Sequence, residues 1–421
     1  MKILEIPGYF FPEQMSSTQM DDDRYRAFAK AGIETELYAA TPTRNVTDEV
    51  RSEYKKKRLE KMYDGQMTVH RYSLYREGKN PLLRAFRYLL QCIKQFNRAL
   101  FSKDARKCEL IFTGSTPPIK GAMVALVKKF RKIKFVYNLH DIFPDSLVGS
   151  GLAKKGGFLW KIGRVIENFT YRNADKIIVI SEDFKRNIME KGVPEDKIVV
   201  VYNWVDTEKI KPVKKEENPL YDEFGISKDK FIVMYAGNLG NAQNVMLLVE
   251  AAKKLKDDDS VQIVIFGTGG IEQDLKDAVN DNDLYNVKLL PLQPMERVPF
   301  VYGVGDVCVV ACKEGLGGSA MPSKTWTIMS CGKAVLANFD EGELKHIIED
   351  HKCGMFTKAG DVDAFVDAIN KLKNNESKCN ELGKNGRVFV LENLDKDICT
   401  QKYVDVIKSF EKKKLHYEHE T

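Results

Sequence analysis

The chain has 421 residues, more than a single hydrophobic core usually serves, so two domains are expected. Hydrophobic residues make up 43%, enough to fill two cores, and no run approaches the roughly 18 consecutive apolar residues that a bilayer-spanning helix requires. The net charge of +6 is unevenly spread. Residues 1–200 hold 37 Lys and Arg against 24 Asp and Glu, and the remainder holds 29 against 36, so the first half is basic and the second mildly acidic.

The opening "MKILEIPGYFFPEQ" has one lysine and no long apolar stretch, so a signal peptide is not expected. Short β-branched runs then alternate with amphipathic ones. Strands are predicted at "MKILEI", "ETELYAA", "MTVHRYS", "CELIFTG", "IKFVYNLH", "DKIIVIS" and "KIVVVYN", with helical pattern between most of them. A polar, Pro-containing stretch, "NWVDTEKIKPVKKEENPLYDEFG", interrupts the series. A second series follows: "KFIVMYAG", "VQIVIFG", "VKLLPL", "DVCVVAC", "KAVLAN" and "GMFTKA". Such alternation predicts an α/β protein of two Rossmann-like, doubly wound domains facing a cleft. The expected limits are 1–208, 209–394, and a C-terminal helix with a tail over 395–421 that can return to the first domain. The eight cysteines form no C-x-x-C pair and have no His at zinc-ligand spacing; reduced, buried thiols in a cytoplasmic protein are expected, with no metal site.

Open parallel sheets bind ligands beyond the carboxyl ends of their strands, which directs attention to the residues just after each strand. In the second half, "YAGNLGNAQN" offers Gly237 and Gly240 for close backbone approach to a ligand. "FGTGGIEQDL" offers Gly267 and Gly269 in a tight turn beside a nucleotide. "VVACKEGLGGSAMPSKTW" ends at a predicted helix start carrying Ser323 and Lys324. A helix start bears roughly half a positive charge, so Lys324 has the wrong sign for its place unless an anion joins it. A diphosphate there would receive the dipole, backbone N–H groups and the ammonium together.

The order "YAGNLG", "FGTGG", "EGLGG…PSK…MSCGKAVLAN" and "CGMFTKAGDVDAFVDAI", with "YFFPEQ", "STPP", "LHDIFPDS", "DKIIVISEDF" and "VVYNWVD" before it, resembles the GT-B-fold retaining glycosyltransferases of family 4 along nearly the whole chain. The likeness is to the bacterial L-fucosamine transferase and surface-polysaccharide branch. The resemblance implies transfer of a sugar from a nucleotide diphosphate sugar, UDP-linked, to an acceptor hydroxyl, with retention and without a divalent metal or other cofactor. It assigns the donor diphosphate to Gly237, Asn238, Gly240, Ser323 and Lys324, and the nucleoside and sugar to Gly267, Gly269, Leu292, Gly318 and Thr327. His140, Asp141 and Glu314 become the catalytic candidates, and Gly8, Glu13, Ser16 and Ser17 the acceptor side. Basic residues of the family's pattern are replaced here by Asn238 and Gln243, and its second glutamate by Thr327, which leaves Lys324 as the main cation.

The stretches "LLRAFRYLLQCIKQFNRALFSK", "VKKFRKIKF" and "KKGGFLWKIGR" are basic with aromatics interleaved. They suit either helices with a solvated basic face or peripheral contact with the inner face of the cell membrane, the second favoured because the basic excess falls on the acceptor-binding half; the resemblance adds that many relatives act on polyprenyl-diphosphate-linked sugars, as in lipopolysaccharide and O-antigen assembly. The competing functions are a GT-B nucleotide-sugar 2-epimerase, a catalytically silent nucleotide-sugar binder, and a basic nucleic-acid-binding protein. For the last there is no RNP, helix-turn-helix or zinc motif.

Overall fold

The computed structural model describes residues 1–13, 18–78, 80–149, 153–317 and 321–411. Of the residues singled out above, Ser16, Ser17 and Gly318 lie outside them. The chain divides into two units, Met1–Tyr202 with the residues from Cys399 on, and Asn203–Ile398.

The first unit is built on an eight-stranded sheet of β1 (Lys2–Ile6), β2 (Glu34–Ala40), β3 (Leu59–Met62), β4 (Met67–Tyr72), β5 (Leu110–Gly114), β6 (Lys134–Leu139), β7 (Lys176–Val179) and β8 (Ile198–Val200). Their order is β3-β4-β2-β1-β5-β6-β7-β8. All pairs are parallel except β3 with β4. The near-continuous apolar runs of β1, β5, β6 and β7 are those of strands covered on both faces. β3 was not foreseen: "LEKM" is short, charged and half exposed, so it carries no strand-like apolar pattern. It forms because Tyr63, Asp64 and Gly65 take left-handed φ values of 51°, 54° and 86°, folding the chain back onto β4 at the sheet edge.

The second unit holds a six-stranded parallel sheet of β9 (Phe231–Asn238), β10 (Val261–Thr268), β11 (Val287–Leu290), β12 (Val307–Ala311), β13 (Ala334–Phe339) and β14 (Gly354–Lys358), in the order β11-β10-β9-β12-β13-β14. Each unit has its own apolar core. Residues 203–208, assigned above to the first domain, are held by the second unit. Val205 N–H donates to Leu394 O at 3.1 Å, Lys396 N–H donates back to Val205 O at 3.1 Å, and Arg387 donates to Thr207 O and Ile210 O, both at 3.0 Å. All eight cysteines are buried, and none forms a disulfide.

Candidate active site

In the second unit the loops leaving β9, β10 and β12 are tied together. Leu239 N–H donates to Thr268 O at 2.9 Å, Ile271 N–H to Leu239 O at 3.0 Å, and Lys313 N–H to Ala242 O at 2.9 Å. The glycines make this possible. A Cβ on Gly267 would stand 2.5 Å from Gly237 O, and one on Gly269 2.5 Å from Leu239 O. These two glycines let two strand-end loops touch. Gly240 fits against Gln243 Oε1 and Asn238 Nδ2, and those two side chains bond to each other at 3.2 Å. Gly237 has φ +138°, which only glycine adopts without strain.

Lys324 is the first residue of the helix Lys324–Ser330, whose first turn has no acidic residue. The helix spans only seven residues, and the N–H groups of Thr325 and Trp326 donate to Pro322 O and Ser323 O, so its dipole and free donors count for less than the sequence suggested. What remains is the ammonium. Its Nζ is enclosed, has no hydrogen-bond partner among the described residues, and stands 4.0 Å from the centroid of the Tyr235 ring, beside Gly237. Tyr235 is locked in turn, its hydroxyl donating to Asn238 O at 2.8 Å. Burial pulls the Lys324 pKa down to about 8. The neighbouring helix Glu272–Asp281, by contrast, brings its own first-turn carboxylates, and Glu272 accepts from Thr268 Oγ1 at 2.9 Å.

Glu314 lies on an exposed loop, paired at 3.5 Å with the equally exposed Lys358, and nothing around it marks a catalytic group. The loop is fixed by Asp340, which accepts from Gly315 N–H at 3.1 Å and Gly317 N–H at 2.7 Å. Ser323 and Leu292 are exposed and Thr327 is half-buried. Asn338, at the end of β13, spends its whole amide on Thr357, Lys358, Gly360 and Asp361.

In the first unit His140 follows β6. Its Nε2 faces Asn138 Nδ2 at 2.7 Å, and its N–H donates to Ser115 Oγ at 3.2 Å. Burial lowers its pKa, so the ring is neutral at pH 7. Asp141, the adjacent candidate, is exposed, and the ring of His140 is bonded to Asn138. Glu13 is corrected from acceptor contact to scaffold. It is 3% exposed, and its carboxylate accepts from the N–H groups of Thr43 (2.8 Å), Arg44 (3.0 Å) and Phe10 (3.4 Å), pinning the loop after β2. Gly8 passes so close to the loop after β5 that a Cβ would stand 2.6 Å from Thr116 O.

Residues 23–209 match the family described as Glycosyltransferase Family 4, and residues 218–389 match Glycosyl transferases group 1. The chain is a GT-B glycosyltransferase. A protein of Pseudomonas aeruginosa named as glycosyltransferase WbjE is 25% identical over 338 residues, 79% of this chain and 82% of its own. The colanic acid biosynthesis glycosyl transferase WcaI of Escherichia coli is 26% identical over the same shares. The crystal structure of HepE from Anabaena in complex with UDP matches 97% of this chain and 100% of its own with a TM-score of 0.71 at 16% identity, a likeness of fold.

Tyr235 and Asn138 of this glycosyltransferase were not foreseen from sequence, since each sits inside an apolar strand run where its burial and bonding are not visible. Period-2 alternation was a usable signal for Asn138, which shares a strand face with His140. Tyr403, which bonds to Asn138, is 265 residues away, and no local pattern points to it.

Proposed function

We propose that this glycosyltransferase moves a sugar from a UDP-sugar to a hydroxyl of a glycan or lipid-linked acceptor in bacterial surface polysaccharide assembly, with retention and without a divalent metal. One observation carries the reading: an enclosed ammonium, Lys324, without a hydrogen-bond partner among the described residues, beside the loop junction of β9, β10 and β12. A buried charge is costly unless something compensates it, and a departing diphosphate is the group this chemistry must stabilise. The second unit is the donor side and the first, with His140, the acceptor side. The UDP complex of HepE and the name of WcaI support the donor base and the pathway. Calorimetry against UDP, GDP and ADP, with and without EDTA, is expected to give one tight, EDTA-insensitive diphosphate, and NMR of the product is expected to show the donor's anomeric configuration. A panel without a hit would overturn the reading.

The acceptor side also carries a face suited to an anionic bilayer. Helix Pro81–Phe101 buries three polar side chains, Arg87, Gln91 and Gln95, beside Cys92 and Ala99, while Phe86, Leu89 and Ile93 are exposed. Gln91 and Gln95 donate to the carbonyls of Gly8 (2.7 Å) and Pro7 (2.9 Å) after β1. Helices Ile119–Arg131 and Phe158–Asn173 pack in sequence beside it and expose Leu126 and Phe130, then Phe158, Leu159 and Val165. These three helices contain one acidic residue, Glu167, and it is turned inward onto Lys191 at 3.0 Å. Three segments separate in sequence thus form one apolar, cation-rimmed surface, to which each Lys or Arg near anionic lipid adds about 1 kcal/mol. The protein is expected to sediment with phosphatidylglycerol vesicles and much less with phosphatidylcholine vesicles, and F130E/F158E to abolish this. Equal recovery with and without vesicles would remove the membrane from the proposal.

A further inference from the structure

We infer that Tyr403 is a positioning residue for His140, acting through Asn138 so that the imidazole presents Nδ1–H outward as a hydrogen-bond donor and does not act as the base. This rests on His140 being a site residue, as proposed above. Tyr403 belongs to the helix Lys396–Lys408, and its hydroxyl donates to Asn138 Oδ1 at 3.0 Å. With Oδ1 occupied, Asn138 turns Nδ2 toward His140, and the 2.7 Å contact there is a donation into the Nε2 lone pair. A neutral imidazole has one donor and one acceptor nitrogen, so an accepting Nε2 places the proton on Nδ1.

The chain of bonds is well held. Asn138 is 4% and Tyr403 1% exposed, and the tyrosine ring is fixed against Phe112, with centroids 6.2 Å apart. Arg24, whose guanidinium stands 6.0 Å from the Tyr403 centroid, is itself locked to the buried Glu5 by bonds of 3.0 and 2.8 Å. Nδ1 of His140 has no hydrogen-bond partner among the described residues, which leaves it for a ligand. Of the two roles open to a histidine at this position, hydrogen-bond donor to a sugar hydroxyl or acceptor of the acceptor's proton, the network selects the first. The only lone pair that could take a proton is already bonded to Asn138.

The test is the ring nitrogen spectrum of the full-length protein labelled with ¹⁵N-histidine, the His140 signals being identified by their loss in H140A. Wild type is expected to show the Nδ1–H tautomer. Y403F frees Asn138 to rotate and is expected to give a mixture of tautomers, with turnover of the UDP-sugar falling about tenfold and UDP affinity unchanged. Asn138→Asp replaces the donor by an acceptor and is expected to move the proton to Nε2. A wild-type ring protonated on Nε2, or a Y403F protein with wild-type tautomer and turnover, would overturn the inference. Wild-type turnover in H140A would instead remove the reading of His140 on which it stands, and the tautomer spectrum keeps the two failures apart.

Discussion

Replacing Lys324 by Ala is expected to weaken UDP binding about 10- to 100-fold, the loss of one charge-assisted bond worth roughly 1.5–3 kcal/mol. Among the described residues the ammonium is the enclosed cation at the junction, where Asn238 and Gln243 are neutral. Titration should report the same group. With its pKa held near 8 by burial, Lys324 is charged at pH 7 and ready for an anion. Above pH 8 the free site becomes neutral, and a diphosphate must bring a proton in with it. Affinity is therefore expected to fall by up to tenfold per pH unit above 8, with proton uptake visible when calorimetry is repeated in buffers of different ionisation heat. Lys324→Met should lose that dependence. Folding stability runs the other way. A lysine pKa depressed from 10.5 to about 8 means that the unfolded chain holds the extra proton between those values, so wild-type stability rises with pH across that window and the cost is fully present below it. Lys324→Met is expected to raise the unfolding midpoint at pH 7. Unchanged UDP affinity in Lys324→Ala would remove the diphosphate from this site.

His140→Ala is expected to lower turnover about 100-fold while changing UDP affinity less than twofold, because the side chain belongs to the first unit and Lys324, the proposed diphosphate cation, to the second. Loss of a donor aimed at a sugar hydroxyl removes an interaction that strengthens as the bond to the leaving group breaks. Steady-state turnover of the UDP-sugar, set beside calorimetric UDP binding, separates the two effects. Turnover equal to wild type would make His140 a structural residue. Asp141→Asn should cost far less, since that carboxylate is exposed and the ring's bond is to Asn138.

The sequence by itself determined the architecture. Thirteen strands were legible because parallel strands covered on both faces must be apolar throughout, and that demand is written locally in runs such as "KIIVI" and "VCVVA". It also determined where ligands would be sought, since strand ends can be read once strands can, and Lys324 stood out by having the wrong sign at a helix start. Charge and exposure in β3 hid the remaining strand.

Tertiary structure decided which residues at those ends are scaffold and which are left over. Glu13 proved to be spent on backbone N–H groups, and Gly267 and Gly269 let two loops pack closely. Glu314 proved to be an exposed partner of Lys358. Only the fold could show that helix Pro81–Phe101 buries Arg87, Gln91 and Gln95 while leaving Phe86, Leu89 and Ile93 exposed, because its composition fits either arrangement. The same holds for Tyr403 and Asn138. A hydrogen bond between residues 265 positions apart leaves no periodicity to read, and whether a polar group is satisfied depends on what packing brings within about 3 Å of it.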